Sequence, residues 1–494
     1  MFNTFLFQKD LSVGEIFFMD KLLAFLFIVA IFSCSHPGLK PNWQNKDLKK
    51  DGLFGISTDL AYEQLLQDKK PSGVVVAVID SGIDTAQEDL RPILWSDPDD
   101  GSHGRNFIVK ETGKEDFIYQ LENKKILQGY ERTFADYNMH VVRLQNFINQ
   151  LQQSETILEQ MLKHLGKKNP SFDDLRKYNP HDDAERWMLG VVLQRMPAYT
   201  DFSKLKFSEL DNLLAKANYH ISHGLKLEQP ASDNNDSLSN DNIKNEPLGI
   251  AADPIMGAYH GTYMAGIIAG VRKNGKGIDG ITDSARIMTL KLSSGIREMR
   301  NSDLAMSIRY AADHGAKIIN MSFGKTFSVH RESVDSAVKY AINKGLLIIH
   351  SAGNDGMNLD VDSNTFYPSP KYLDGGFAQA WITVGASGYQ DDSLLAAPFS
   401  NYGSKIVDVF APGVQITSTI PINGTETWDG SSQAGAVVAG LAALIWSYYP
   451  KLTSLQVKDI IIKSVIRREV LKTKCITSGV VNAYNAMKLA AEYK

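Results

Sequence analysis

The chain has 494 residues, enough for a large buried core, and its 43% hydrophobic and 22% charged residues exclude a disordered polymer. Its 52 basic and 56 acidic residues leave a formal charge of −4, which argues against a nucleic-acid partner gripped by a general positive field. Two cysteines, Cys34 and Cys475, are too few for a disulfide scaffold or a cysteine-based zinc site.

Leu22 to Phe32 is an unbroken apolar run preceded by Lys21. It is too short to span a bilayer, which takes about 20 apolar residues, but it suits the hydrophobic stretch of an export signal. Met19 is a more natural start for such a signal than Met1. The sequence Ile31-Phe32-Ser33-Cys34 resembles a loose bacterial lipobox. That resemblance implies removal of residues 1–33 and lipidation of Cys34, hence an exported, membrane-anchored protein on the periplasmic or cell-surface side. A plain secretion signal is the alternative. With Cys34 lipidated, Cys475 has no partner within the chain and reads as a small buried hydrophobe.

Residues 34–70 read as a polar N-terminal extension with one helix over 58–68. From Gly73 the texture changes. Val74 to Ile79 is a continuous β-branched and apolar run, the mark of a strand buried on both faces in a parallel sheet. Similar runs recur at Ala285–Lys291, Lys317–Met321, Gly345–Ser351, Ile382–Ala386 and Val407–Ala411. Helical patterns over Ser302–His314 and Ser333–Lys344 separate several of them. Strand and helix in alternation predict an α/β fold with a mostly parallel sheet flanked by helices.

Residues 105–248 interrupt this rhythm. Only five of the 38 glycines fall here. From Tyr137 through Leu165 apolar residues follow four-three spacing, which predicts a long amphipathic helix, and Trp187–Met196 and Leu210–Ala217 suggest two more. Glu228–Pro247 is Asn-, Asp- and Ser-rich and reads as a loop. The segment is expected to be a helical insertion within a domain covering 71–494. Structural decoration and control of substrate entry are both open as its role.

Three motifs carry chemistry. Asp80 ends the first buried strand. His260 opens a helix of small residues, and Ser432 opens an Ala/Gly-rich one. A serine hydroxyl needs an adjacent base to become nucleophilic. Histidine titrates near neutrality, and a buried aspartate fixes its tautomer and stabilises its cation. A helix N-terminus offers backbone N–H groups where an oxyanion forms.

The order Asp80, His260, Ser432, with these flanks, resembles the subtilisin-like serine endopeptidases. Further segments support the resemblance: Ile318–Gly324, Ser351–Gly356, Phe399–Gly403 and Phe410–Gly413. The resemblance implies that Asp80 orients, His260 moves the proton and Ser432 attacks a peptide bond. It further implies that Asn354 donates to the oxyanion. Ser322, Phe323, Gly324, Ala352 and Gly353 would bind the polypeptide substrate around an apolar or medium-sized P1 residue. No cofactor is implied for the chemistry. Structural calcium is common in the family, and Asp97–Gly101 is the oxygen-rich candidate, with an acidic turn as the simpler reading.

Departures from the family pattern stand out. Ser431, Gln433 and Ala436 replace its Thr, Met and Pro around the nucleophile, and Tyr263 replaces a second histidine. Only 45 residues lie between Cys34 and Asp80, too few for a folded inhibitory prodomain. A subtilase fold kept for binding alone is the rival reading. An α/β-hydrolase is excluded, because it needs Gly-x-Ser-x-Gly and the order Ser, Asp, His. A His-Glu-x-x-His metallopeptidase motif does not occur.

Overall fold

The computed structural model describes residues 39–107, 156–171, 174–175, 177–181, 258–292, 299–325 and 331–493, with Glu185, Leu189 and Ser328. The export signal, Cys34, the helices expected at 137–155 and 210–217, and the 228–247 loop lie outside the described residues, as does all but Leu189 of the one expected at 187–196. The described residues fall into two compact units, divided at residues 108 and 244. No described helix is long and apolar enough to cross a membrane.

After short helical turns at Trp43–Asn45 and Leu48–Asp51, the larger unit has helix α1 (Thr58–Leu65) and strand β1 (Val74–Asp80). There follow β2 (Gly104–Asn106), α2 (Tyr259–Ala269), β3 (Ala285–Lys291), α3 (Asn301–Asp313), β4 (Ile318–Met321) and α4 (Glu332–Asn343). Next come β5 (Leu347–Ser351), β6 (Trp381–Ser387), β7 (Val409–Pro412) and the hairpin of β8 (Ile416–Ile420) and β9 (Gly424–Trp428). The long α5 (Ser431–Tyr448), α6 (Ser454–Lys463), β10 (Ile466–Arg467), β11 (Gly479–Val480) and α7 (Ala483–Ala490) complete it.

Nine strands form one sheet in the order β10-β11-β7-β6-β5-β4-β1-β3-β2, parallel except for the β10–β11 pair. Both faces are covered. Along β1, Val74, Val76 and Val78 enter the core shared with α2 and α5, while Ala77 and Ile79 enter the one shared with α3 and α4. This two-residue alternation explains why the strand reads as continuously apolar. Each fully buried valine or isoleucine contributes about 1.5–3 kcal/mol.

Two boundaries differ from the sequence reading. Arg105 and Asn106, expected to open the insertion, complete β2 against Leu290 and Lys291 of β3. The described part of the extension is woven into the unit. Trp43, Phe54 and Ile56 are buried, Phe54 N donates to the Tyr389 carbonyl at 2.8 Å, and Ala483 N donates to the Ile56 carbonyl at 2.6 Å. Isolated apolar residues such as these have no period, so a pattern search passes over them.

β1 is where the fold turns chemical. Its neighbours are β3 on one side and β4 on the other, so chain connections diverge there. In an open parallel sheet, such a switch point leaves a crevice beyond the carboxyl ends of the strands. Asp80 stands at that end of β1.

Candidate active site

Asp80 is 5% exposed, and both of its carboxylate oxygens accept from His260 Nδ1, at 2.9 and 2.8 Å. Ser81 N also donates to Asp80 Oδ1 at 2.7 Å. An ionised carboxylate only accepts, so the imidazole proton sits on Nδ1 and Nε2 keeps its lone pair. Burial of the ring disfavours the cation, but the charge of Asp80 and its hydrogen bond outweigh this and raise the His260 pKa above its ordinary 6.5. The side chain is 35% exposed, so desolvation is incomplete.

Helix α2 can bring His260 here because of Gly261. A Cβ at that position would lie 2.1 Å from the Gly82 carbonyl oxygen and 3.2 Å from Asp80 Cβ. The turn after β1 also grips the helix start. Gly261 N donates to Ser81 Oγ at 3.2 Å, and Asp84 N donates to Thr262 Oγ1 at 2.8 Å.

The serine side is built from α5 and the β5 exit. Ser431 is 1% exposed, whereas Ser432 is half-buried and reachable. Ser431 N donates to Asn354 Oδ1 at 2.8 Å, and Gly353 N donates to Ser431 Oγ at 3.0 Å. The buried Ser431 is therefore a clamp between helix and loop. Because the Asn354 carbonyl accepts from Ser431, its NH₂ group is turned the other way, beside Gly430. The Ser432 N–H belongs to the first turn of α5, where the helix itself offers no acceptor.

The Ser432 hydroxyl donates to the Ser322 carbonyl at 2.9 Å, and Ser322 Oγ donates back to the Ser432 carbonyl at 3.1 Å. Asn320 Nδ2 supports Ser322 Oγ at 3.0 Å. Asp80 and His260 are thus joined directly, while Ser432 is tied to Ser322 in the segment that leaves β4. Reaching His260 requires the hydroxyl to leave the Ser322 carbonyl.

Gly324 and Gly353 face one aromatic ring that sequence reasoning missed. A Cβ on Gly324 would lie 2.2 Å from Phe366, and one on Gly353 would lie 3.0 Å from the same ring. Lys325 and Tyr367 exchange backbone bonds of 2.9 and 2.7 Å, which hold Phe366 beside Gly324. Phe323 packs against the α3–α4 core instead. His350 donates from Nε2 to the Phe323 carbonyl at 2.9 Å, and burial pushes its imidazole down to about 4. It therefore stays neutral.

A second missed group is an aromatic stack. Trp428, at the end of β9, lies 4.3 Å from the Tyr263 ring and 5.3 Å from the Tyr259 ring, centroid to centroid. Tyr263 OH donates to the Ile416 carbonyl and accepts from Trp428 N at 2.9 Å. Burial raises its pKa well above the ordinary range, so it remains a neutral phenol. The Tyr263 departure thus ties the histidine helix to the approach of the serine helix.

In the acidic turn at 97–101 the carboxylates are hydrogen-bonded within the loop. Asp97 Oδ1 accepts from Asp99 N and Asp100 Oδ1 from Ser102 N, at 2.9 and 2.8 Å, so these carboxylates close their own turn. Calcium needs six to eight converging oxygens.

The Subtilase family model matches residues 71–486. The chain belongs to the subtilase family. It is 40% identical over 195 residues to the thermophilic serine proteinase of Bacillus sp. (strain AK1), covering 40% of this chain and 44% of that proteinase. Against thermitase of Thermoactinomyces vulgaris, identity is 38% over 194 residues, covering 39% and 63%. The matches therefore span about half the length of these curated relatives. A solved structure described as proteases from Pseudoalteromonas arctica aligns over 92% of this chain and 99% of its own, with a TM-score of 0.50 and 19% identity. That likeness concerns the subtilase fold alone.

Proposed function

We propose that this subtilase is a serine endopeptidase using Asp80, His260 and Ser432. The observation that carries the reading is the buried Asp80–His260 pair, together with a half-buried Ser432 at the N-terminus of α5. A substrate lies extended along Ser322–Gly324 and pairs with that backbone as an added strand. His260 Nε2 takes the Ser432 proton as Oγ bonds to the scissile carbonyl carbon, and the carbonyl oxygen becomes an oxyanion. The Asn354 NH₂ group and the Ser432 N–H stabilise it. His260 then protonates the departing amine, the C–N bond breaks, and an acyl-enzyme is left. Water repeats the sequence: it loses a proton to His260, attacks the ester, and Ser432 leaves with that proton.

Phe366 against Gly324 and Gly353 supports a small P1 side chain, narrower than the apolar or medium-sized one expected from sequence. We also propose export and anchorage through a lipid on Cys34. Incorporation of labelled palmitate that Cys34→Ser abolishes is the expected result, and unchanged incorporation would remove the anchor.

The bond from Ser432 to the Ser322 carbonyl favours a second reading, a binding protein whose serine never engages His260. A fluorophosphonate probe separates the two. The peptidase reading expects labelling of the wild type and none of Ser432→Ala. An unlabelled wild type, under conditions that label another subtilase, would select the binding reading.

A further inference from the structure

The smaller unit holds a side-chain cluster with no part in the chemistry above. His164 lies on the helical stretch 156–165, and His181 and Glu185 lie one helical turn apart in sequence. One candidate ligand atom from each lies within 4.8 Å of the other two. His164 Nδ1 is 2.5 Å from Glu185 Oε1, and His181 Nδ1 is 3.3 Å from Glu185 Oε2. The two imidazole rings stand 4.2 Å apart, tilted by 42°. We infer that His164, His181 and Glu185 form a binding site for a zinc-type divalent cation.

Hydrogen bonds hold Glu185 in place and give His181 Nδ1 only contacts of 3.1 and 3.3 Å. Glu185 Oε2 already accepts from Tyr178 OH at 2.7 Å and from His181 N at 2.9 Å. A carboxylate oxygen has about two lone-pair directions, so both are taken. The third approach, from His181 Nδ1 at 3.3 Å, is long for an N–H···O bond. That nitrogen also lies 3.1 Å from Tyr178 OH, and in the tautomer that carries its proton on Nε2 it has a lone pair to give a metal. Two imidazole nitrogens brought to one carboxylate are a donor set that zinc takes readily.

The spacing fits as well. Ligands about 2.0–2.1 Å from a tetrahedral ion stand about 3.3 Å from one another. With Oε2 filled, Oε1 is the ligand oxygen, and it belongs to the carboxylate that His181 Nδ1 already approaches at 3.3 Å. The His164 contact is shorter and must open by less than about 1 Å. That ring can move, since the side chain is 44% exposed, while Glu185 is held in the interior at 2%. Tyr178, on the carboxylate, is the outer partner that metal-binding carboxylates commonly have. Solvent at the exposed histidines would supply the fourth ligand. Such an ion staples helix 156–165 to the 178–185 segment, a structural role outside the peptidase chemistry.

The test uses the full chain, stripped with chelator and titrated calorimetrically with zinc chloride. Because the chain has 11 histidines, site-specific variants carry the decision. The expected result is one tight equivalent in the wild type, lost in His164→Ala and in His181→Ala, with about tenfold weaker binding in Tyr178→Phe. Both histidines are exposed, so their variants are expected to fold, which circular dichroism checks. Zinc should also raise the melting temperature of the wild type and of neither histidine variant. Cobalt in place of zinc should give the visible absorption of a tetrahedral site. The inference is overturned if the wild type takes up no stoichiometric zinc, or if both histidine variants titrate like the wild type.

Discussion

The two sides of the candidate site are finished to different degrees. On one side Asp80 and His260 are bonded through both carboxylate oxygens, and Gly261 lets their elements touch. On the other side Ser432 donates to the Ser322 carbonyl. Backbone packing fixes the Asp80–His260 pair, whereas one side-chain rotation governs Ser432, the proposed nucleophile. Packing is expensive to alter, and a rotation is a small adjustment that bound substrate can drive.

The largest break in this contrast comes from the rigid side. Asp80→Asn should lower kcat by about 10⁴, because the amide cannot hold the proton on Nδ1. On the serine side, Asn354→Ala should lower kcat by about 10²–10³ with little change in KM, the magnitude known for the matching donor in subtilisin. A KM increase with unchanged kcat would instead assign Asn354 to substrate binding. Phe366→Ala should raise kcat/KM for large apolar P1 residues about tenfold or more over small ones, measured on a peptide library. An unchanged profile would place the P1 residue elsewhere.

The smallest effect sharpens the comparison by pH. A raised His260 pKa means that the neutral base accumulates only above 6.5, so kcat/KM should climb with pH through an inflection above that value. The stability contribution runs oppositely. The protonated His260–Asp80 pair stabilises the fold fully below about 6.5, and that share is lost as pH rises through the raised value. A rate inflection below 6.5 would mean that desolvation outweighs Asp80.

Much of this fold was legible because its strands are buried on both faces. Val74–Ile79 and Ala285–Lys291 announce themselves through continuous apolar runs. Asp80, His260, Ser432 and Asn354 could be picked out as candidates because each sits at or near an element end with a distinctive flank. Ser431 could be set apart from Ser432 by register, and its burial agrees. Phe366 and Trp428 were not legible. Each acts on residues far along the chain, and neither has a local pattern. The same holds for Trp43 and Phe54, whose burial depends on partners more than 300 residues away.

The seam between residues 56–57 and 482–483 has a consequence for timing. Asn482 donates to Ser57 across 425 positions, and the His260–Asp80 bond spans 180. Contacts of such long range form late, because the intervening chain must first be drawn together. A ribosome-bound fragment that has reached His260 owns an acid and a base but no hydroxyl to activate. Ser432 arrives next, and the C-terminal lock on Ile56 last. A chain that has not yet grown past Ser432 therefore carries no complete candidate site.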